Sequence, residues 1–230
     1  MKLLAIPALT AALTCGGGNY TMDLTQTNRP PYTYLALGDS YTIGESVAAE
    51  GSFPYQLAAE LSRAKHPVNR PDIIATTGWT TDELINAINN SDLKNKKFDI
   101  VTLLIGVNNQ YRGYSPDTYR TEFIRLLNTA IAYANGNKDH VFVLSIPDWG
   151  VTPYADGRDH SQIALEIAQF NSINKYETQK AGVAYIDITP ISKQAANDAS
   201  LNAADGLHPS AKMYGLWVKE LLPVVEAQTK

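Results

Sequence analysis

The chain has 230 residues, of which 44% are hydrophobic and 18% are charged. This composition is typical of a folded globular domain and excludes a disordered, collagen-like or coiled-coil chain. The formal net charge of -4 provides no basic surface for nucleic acid, the four histidines are scattered without zinc-ligand spacing, and the single cysteine excludes an intramolecular disulfide. The composition therefore predicts no nucleic-acid partner and no metal site.

Residues 1–15 have the pattern of a signal peptide, in which Lys2 precedes an apolar stretch over residues 3–13. That stretch is too short to span a bilayer as a helix, and no later segment has about 18 consecutive apolar residues. Cys15 follows the stretch in an arrangement that resembles a bacterial lipoprotein signal. We therefore expect export to the bacterial cell envelope, with membrane contact only through a lipid on Cys15, or else an ordinary signal and a periplasmic or secreted protein. Residues 16–31 are predicted to be a flexible tether.

Short apolar runs alternate with helical patterns through the rest of the chain, which is predicted to be one domain over residues 32–230. Strands are predicted at residues 32–37, 72–76, 98–105, 140–146 and 183–188. Helices are predicted at residues 54–65, 81–89, 116–134 and 161–180 and after Ser210, where Pro223 should kink or end the last helix. This alternation predicts a three-layer α/β fold, with a doubly wound parallel sheet of about five strands and helices on both faces.

Candidate functional residues stand in the turns after strands, because ligands of open parallel sheets bind beyond the carboxyl ends of the strands. Ser40, Gly78 and Asn108 follow the first, second and third predicted strands, and Asp205 and His208 precede the last helix. A serine hydroxyl becomes a nucleophile when a histidine, oriented by a carboxylate, takes its proton. Ser40, Asp205 and His208 are therefore a candidate triad. A backbone N–H at Gly78 and the amide of Asn108 are candidate donors to an oxyanion.

Four sequence blocks resemble, in this order, those of the GDSL/SGNH hydrolase family, and together they extend over residues 38–209. The blocks are Gly38-Asp39-Ser40-x-x-x-Gly44, Gly78, Gly106-x-Asn108 and Asp205-x-x-His208. The resemblance implies a flavodoxin-like fold, with Ser40 as nucleophile, His208 as base and Asp205 as the group that orients the base. It also implies oxyanion donors at the Ser40 backbone, the Gly78 backbone and the Asn108 side chain.

Two positions depart from the family's pattern. Tyr41 stands where the leucine of the family's name is expected, which changes a neighbour of the nucleophile and no catalytic group. Asn109 stands where aspartate is common, which puts the support of that loop in question and leaves Asn108 in place as the donor. The α/β-hydrolase fold is disfavoured, because Thr42 occupies the position of the second glycine in the G-x-S-x-G elbow.

The resemblance implies hydrolysis of a small carboxylic ester through an acyl-enzyme, without metal or cofactor. The family's range includes short-chain esterases, lysophospholipases, thioesterases and carbohydrate O-acetylesterases, and the sequence does not choose among them. A non-catalytic binding module is a rival interpretation, and the intact Ser40, Asp205 and His208 argue against it. A flavodoxin-like nucleotide or phosphate binder is a second rival, and it lacks a glycine-rich phosphate loop.

Aromatic residues cluster in the turns that carry the candidate triad. The proposed substrate-binding residues are Tyr41, Trp79, Tyr111 and Trp149, and Tyr114 and Tyr154 belong to the same cluster. Aromatic rings supply contact area to sugars and acyl groups alike. The alternative, that these rings only pack the loops, is equally compatible with a chain that has 13 tyrosines.

Overall fold

The structure, a computed structural model, describes residues 30–229. The predicted signal peptide with Cys15, and the predicted tether as far as residue 29, lie outside the described residues. Within residues 30–229 no helix combines the length and the apolar character that crossing a membrane requires.

Five parallel strands form one sheet in the order β2-β1-β3-β4-β5. The strands are β1 (Tyr34–Gly38), β2 (Asp72–Ala75), β3 (Ile100–Leu104), β4 (Val141–Leu144) and β5 (Ala184–Ile186). Gly38 pairs with Ala75 on one side and Leu104 on the other, so β1, β2 and β3 end side by side. The winding direction reverses at β1, and the three turns that carry Ser40, Gly78 and Asn108 therefore meet at one edge of the sheet.

Eight α-helices surround this sheet in the described part of the chain. They are α1 (Ser40–Ile43), α2 (Phe53–Arg63), α3 (Thr81–Asn89), α4 (Val107–Tyr111), α5 (Pro116–Tyr133), α6 (His160–Ala181), α7 (Thr189–Ser192) and α8 (Ala211–Gln228). Helix α2 packs against α8, whereas α5 packs against α3 and α6. Right-handed crossovers in this strand order require these two groups of helices to cover opposite faces. The predicted three-layer α/β fold is confirmed.

The hydrophobic core lies on both faces of the central strands. Every residue of β1, β3 and β4 is buried, which explains why these segments are almost continuously apolar in the sequence. Leu57 and Leu61 of α2 and Trp217 and Leu221 of α8 are fully buried between the helices and the sheet. Each such side chain contributes about 1.5–3 kcal/mol relative to exposure. The rigid sheet therefore fixes the turns at its carboxyl edge.

The helices differ from the prediction in two respects, the end of α8 and three short helices that were not predicted. Helix α8 continues through Pro223 to Gln228, so of the two expectations for this proline, a kink or the end of the helix, the second is wrong. Proline removes one backbone donor, and burial of Leu221 and Val225 on either side of it holds the helix together. The short helices α1, α4 and α7 have four or five residues each, too few for a 3.6-residue periodicity to reveal them.

Candidate active site

Ser40 begins helix α1 directly after strand β1. The Asp39 carboxylate caps this helix by accepting the Tyr41 N–H at 3.0 Å, and Gly44 ends it in the left-handed region with a φ of 77°. A Cβ at Gly38 would lie 2.1 Å from the Thr42 hydroxyl oxygen, so only glycine allows the chain to turn this tightly. The turn leaves Ser40 with 5% of its surface exposed. Ser40 lines the wall of a cleft at the carboxyl edge of the sheet.

That cleft has a volume of about 150 Å³ and brings together seven of the predicted site residues, four of them candidates for catalysis or oxyanion binding and three for substrate binding. Its lining consists of Ser40, Tyr41, Thr77, Gly78, Val107, Asn108, Tyr111, Trp149, Tyr154, Leu207 and His208. The lining segments follow β1, β2, β3 and β4 and precede α8. The topology of the sheet thus gathers at one point side chains that are up to 168 residues apart in the sequence, the separation of Ser40 and His208.

Asp205 orients the imidazole of His208. The distance between His208 Nδ1 and Asp205 Oδ2 is 2.6 Å. The other carboxylate oxygen, Oδ1, accepts the backbone N–H groups of Leu207 at 2.9 Å and His208 at 3.0 Å. The hydroxyl of Ser46 donates to Oδ2 at 2.6 Å. Four donors therefore converge on one carboxylate.

These donors decide the charge of Asp205. Partial burial raises the pKa of this carboxyl, but the hydrogen bonds from Ser46, from His208 and from the two backbone N–H groups outweigh that effect. The pKa of Asp205 consequently lies well below its ordinary value of 3.8. At neutral pH the imidazole of His208 thus faces a fixed negative charge.

Helix α4 holds the loop that carries Gly78. The Asn108 side chain donates to the Trp79 carbonyl at 2.9 Å, and Arg112, the residue after α4, donates to the Gly78 carbonyl at 2.5 Å. A primary amide has two N–H groups, so Asn108 retains one for a ligand in the cleft that it lines. Gly78 itself has a φ of 83°, a conformation that favours glycine.

Asn109 also supports the loop that carries Gly78, through two hydrogen bonds to Thr81. It is fully buried, accepts the Thr81 backbone N–H at 3.0 Å and donates to the Thr81 hydroxyl at 2.7 Å. An amide makes both bonds because it carries an acceptor and a donor. The departure from aspartate at this position is therefore compatible with a well-held loop.

The aromatic residues fall into two groups. Tyr41, Tyr111, Trp149 and Tyr154 line the cleft, and the rings of Tyr41 and His208 meet edge-on with centroids 5.7 Å apart. Trp79 does not line it: its side chain packs, partly buried, against the hydrophobic core. The structure therefore gives no support to substrate binding by Trp79.

Three residues around the site were not identified from the sequence. Ser46 contacts Asp205 across 159 positions, and no local pattern announces such a contact. Arg112 stands four positions after Asn108, the spacing that brings two side chains to one face of a helix, and that spacing was a usable signal. Arg158 lies 5.2–5.3 Å from the ring centroids of Tyr111, Trp149 and Tyr154, and so braces three rings at the mouth of the cleft.

A serine shares the cleft with a histidine that is bonded to a carboxylate, at the carboxyl edge of an open parallel sheet. The family model and the solved structures that follow support a serine ester hydrolase. The chain belongs to the GDSL-like Lipase/Acylhydrolase family, whose model matches residues 36–216. A comparison with curated protein sequences gives no match.

Solved structures are similar to this chain in fold. The crystal structure of TesA has a TM-score of 0.66 and 17% identity, covering 85% of this chain and 99% of TesA. Axe2, an acetylxylan esterase from Geobacillus stearothermophilus, has a TM-score of 0.65 and 17% identity over 84% of this chain and 94% of its own. The psychrotrophic esterase EstA from Pseudoalteromonas sp. has a TM-score of 0.63 and 17% identity over 85% and 97%.

Proposed function

We propose that the protein hydrolyses carboxylic esters through an acyl-enzyme, with Ser40 as nucleophile, His208 as general base and Asp205 as the orienting carboxylate. The observation that carries this proposal is that His208 shares the cleft with Ser40 while its Nδ1 atom is bonded to Asp205. Because Nδ1 is engaged by the carboxylate, Nε2 is the ring nitrogen left to exchange a proton in the cleft.

In the first half-reaction His208 Nε2 takes the Ser40 hydroxyl proton as Ser40 Oγ forms a bond to the ester carbonyl carbon. The carbonyl electrons move to the oxygen, which is held by the backbone N–H groups of Ser40 and Gly78 and the free amide N–H of Asn108. The tetrahedral intermediate then expels the alcohol, which receives the proton from His208. Asp205 stabilises the imidazolium in between.

In the second half-reaction water repeats the sequence on the acyl-enzyme. His208 takes a proton from water as its oxygen attacks the acyl carbon, and returns that proton to Ser40 Oγ as the carboxylic acid leaves. No step needs a metal ion or a cofactor.

The size and the lining of the cleft favour substrates with short acyl groups. Its volume of about 150 Å³ is small, which favours a short acyl group over a long one. The apolar side chains of Val107, Leu207 and Trp149 line it. We therefore infer that short-chain esters, including acetates of sugars, are better substrates than long-chain lysophospholipids or long acyl thioesters. Axe2, which is similar to this chain in fold, is an acetylxylan esterase.

We also propose that the chain is exported and anchored in a bacterial envelope through a lipid on Cys15. The support is the sequence pattern of residues 1–15. The ester substrate would then be met outside the cytoplasm.

Removal of the nucleophile tests the proposed reaction. Ser40→Ala is expected to keep the fold and to lose about 10³-fold or more in kcat/KM, and His208→Ala a comparable amount. The double variant should be little worse than either, because the two groups act as one unit. Ser172→Ala is the matched control, since its exposed hydroxyl bonds only the Ala168 carbonyl of its own helix.

The assay is a series of p-nitrophenyl esters with increasing acyl length, together with an acyl thioester, a lysophospholipid and an acetylated xylo-oligosaccharide. Labelling by a fluorophosphonate probe should occur in the wild type and disappear in Ser40→Ala, and chelation by EDTA should change neither result. Unchanged hydrolysis in Ser40→Ala contradicts the mechanism. A kcat/KM maximum at long acyl chains contradicts the substrate class, and binding without turnover or labelling would identify a binding module.

A further inference from the structure

Ser46 has a left-handed backbone conformation, which is uncommon for residues other than glycine. Three described residues other than glycine have a positive φ: Ser46 at 64°, Lys65 at 67° and Asn135 at 56°. Lys65 and Asn135 directly follow the C-caps of α2 and α5, where left-handed residues commonly end helices. Helix α1 is already ended by Gly44, two positions before Ser46. The conformation of Ser46 belongs instead to a β-turn over residues 44–47, in which the Val47 N–H donates to the Gly44 carbonyl at 3.2 Å. Ser46 is the third residue of this turn, the position that takes a positive φ in a type II turn and that glycine usually occupies.

The side chain of Ser46 gives a reason for serine, rather than glycine, to stand at this turn position. Its hydroxyl donates to Asp205 Oδ2 at 2.6 Å, within the range of a charge-assisted O–H···O⁻ hydrogen bond. Side chains other than glycine adopt the left-handed region at a cost of about 1–3 kcal/mol, and such strain persists where the surrounding structure holds it. The short bond to a carboxylate is a contact that can hold it.

Among the four donors to Asp205, Ser46 differs in origin. Leu207 and His208 belong to the loop of Asp205 itself, so their bonds move with that loop. Ser46 instead belongs to the segment that follows Ser40 by six positions. Its bond therefore links the segment of the nucleophile to the segment of the base. Of the side-chain contributions that lower the pKa of Asp205 against the opposing effect of burial, that of Ser46 is the larger and that of His208 follows.

We propose that Ser46 is a positioning residue of the hydrolytic reaction. It fixes the Asp205 carboxylate against His208 and thereby holds His208 in place relative to Ser40. The inference rests on the proposed function, since it assigns Asp205 and His208 their roles there. Ser46 touches neither substrate nor reacting atoms, and it acts through Asp205.

Two substitutions separate the hydrogen bond from the backbone strain. Ser46→Gly and Ser46→Ala both remove the hydroxyl, but glycine accepts a φ of 64° without strain and alanine does not. If the hydroxyl positions Asp205, both variants lose about tenfold in kcat with little change in KM, since a hydrogen bond to a charged group is lost. Asn135→Gly is the matched control, because it relieves the same type of strain at the end of α5 and should leave kcat unchanged.

A proton NMR measurement gives a second readout that does not depend on turnover. The His208 Nδ1–H proton, bonded to Asp205 in the wild type, should shift or broaden by exchange in Ser46→Gly and stay unchanged in Asn135→Gly. Circular dichroism checks the fold, and Ser46→Gly is expected to fold because its backbone is compatible with the turn.

Several results would overturn the inference. Wild-type kcat and an unchanged Nδ1–H signal in Ser46→Gly would show that the hydroxyl is dispensable. A loss in Ser46→Ala alone would assign the effect to backbone strain. The proposed function fails separately, by turnover that survives in Ser40→Ala, and in that case the Nδ1–H signal still reports whether Ser46 holds Asp205 against His208.

Discussion

Asp39, which precedes the proposed nucleophile, is a buried carboxyl that lacks a full set of partners. It is fully buried; its Oδ1 atom accepts the Tyr41 N–H, and its Oδ2 atom has no hydrogen-bond partner among the described residues. Burial raises the pKa of Asp39 from 3.8 to about 7, because the hydrogen bond from Tyr41 offsets only part of the desolvation of the charge. This carboxyl is thus neutral in the folded protein at pH values where it is ionised in the unfolded chain.

The sign of the resulting pH dependence follows from linkage. A carboxyl whose pKa is raised by folding contributes stability below its unfolded pKa, and that contribution is lost as pH rises through its folded pKa. The difference between 3.8 and about 7 corresponds to about 4 kcal/mol, lost mainly between about pH 4 and pH 7. The ionisation of Asp39 should therefore lower the free energy of unfolding by this amount at pH 8 relative to pH 4.

Asp39→Asn removes the titration and keeps the acceptor for the Tyr41 N–H. The amide nitrogen brings two N–H donors without partners to a position where the neutral acid of the wild type has one O–H, and the additional unpaired donor costs about 1–3 kcal/mol. The free energy of unfolding of the variant is therefore expected to be lower than that of the wild type near pH 4. The difference between variant and wild type should then move by about 4 kcal/mol in the variant's favour by pH 8. All other titrating groups are common to both proteins and cancel.

Urea unfolding followed by tryptophan fluorescence measures this difference at several pH values between 4 and 8, with the buried Trp149 and Trp217 as reporters. Asp198→Asn is the control. Hydrogen bonds from Lys212 and Ser200 lower the pKa of Asp198 to about 2, so this carboxyl is ionised in both states above about pH 5 and its removal should give a flat difference there. A flat difference for Asp39→Asn would refute the reasoning, because Asp39 would then be ionised in the fold throughout.

Two further predictions concern the oxyanion donors and the N-terminus. Asn108→Ala should lower kcat by about 10²-fold in steady-state assays, because one oxyanion donor is lost, whereas a loss confined to KM would make Asn108 a substrate-binding residue. Cys15→Ser should release the protein from the membrane fraction of a bacterial host or block its processing, and recovery of the wild type as an unlipidated soluble protein would decide for an ordinary signal.

Most of the fold could be predicted from the sequence because periodicity reports burial. The buried strand β3 and the long helix α5 both have patterns of sufficient length, and both lie where predicted. The short helices α1 and α4 could not be predicted in this way, since they arise from a capping carboxylate at Asp39 and from the tight turn at Gly106. Such elements depend on individual turn contacts rather than on a repeating pattern.

The residues that bear the proposed chemistry could also be named from the sequence, whereas the groups that hold them could not. Ser40, Asp205 and His208 stand in short blocks whose residue types indicate nucleophilic catalysis. Ser46 supports Asp205 and Arg112 supports the Gly78 carbonyl. Both residues lie far in the sequence from the groups that they bind, and no motif surrounds them. Trp79 illustrates the converse, because this aromatic residue stands in the expected turn but packs, partly buried, against the core and does not line the cleft.

The two aspartates of the sequence blocks show how environment divides one residue type between two roles. Asp39 has one donor and complete burial, which raises its pKa, whereas Asp205 is partly exposed and accepts four donors, which lowers its pKa. Below about pH 7 the neutral Asp39 therefore adds no negative charge near Ser40, where the proposed mechanism places an oxyanion on the ester carbonyl oxygen. Asp205 keeps the charge that the proposed imidazolium needs. The number of donors that converge on each carboxyl, and not the motif around it, separates the helix cap from the proposed orienting charge.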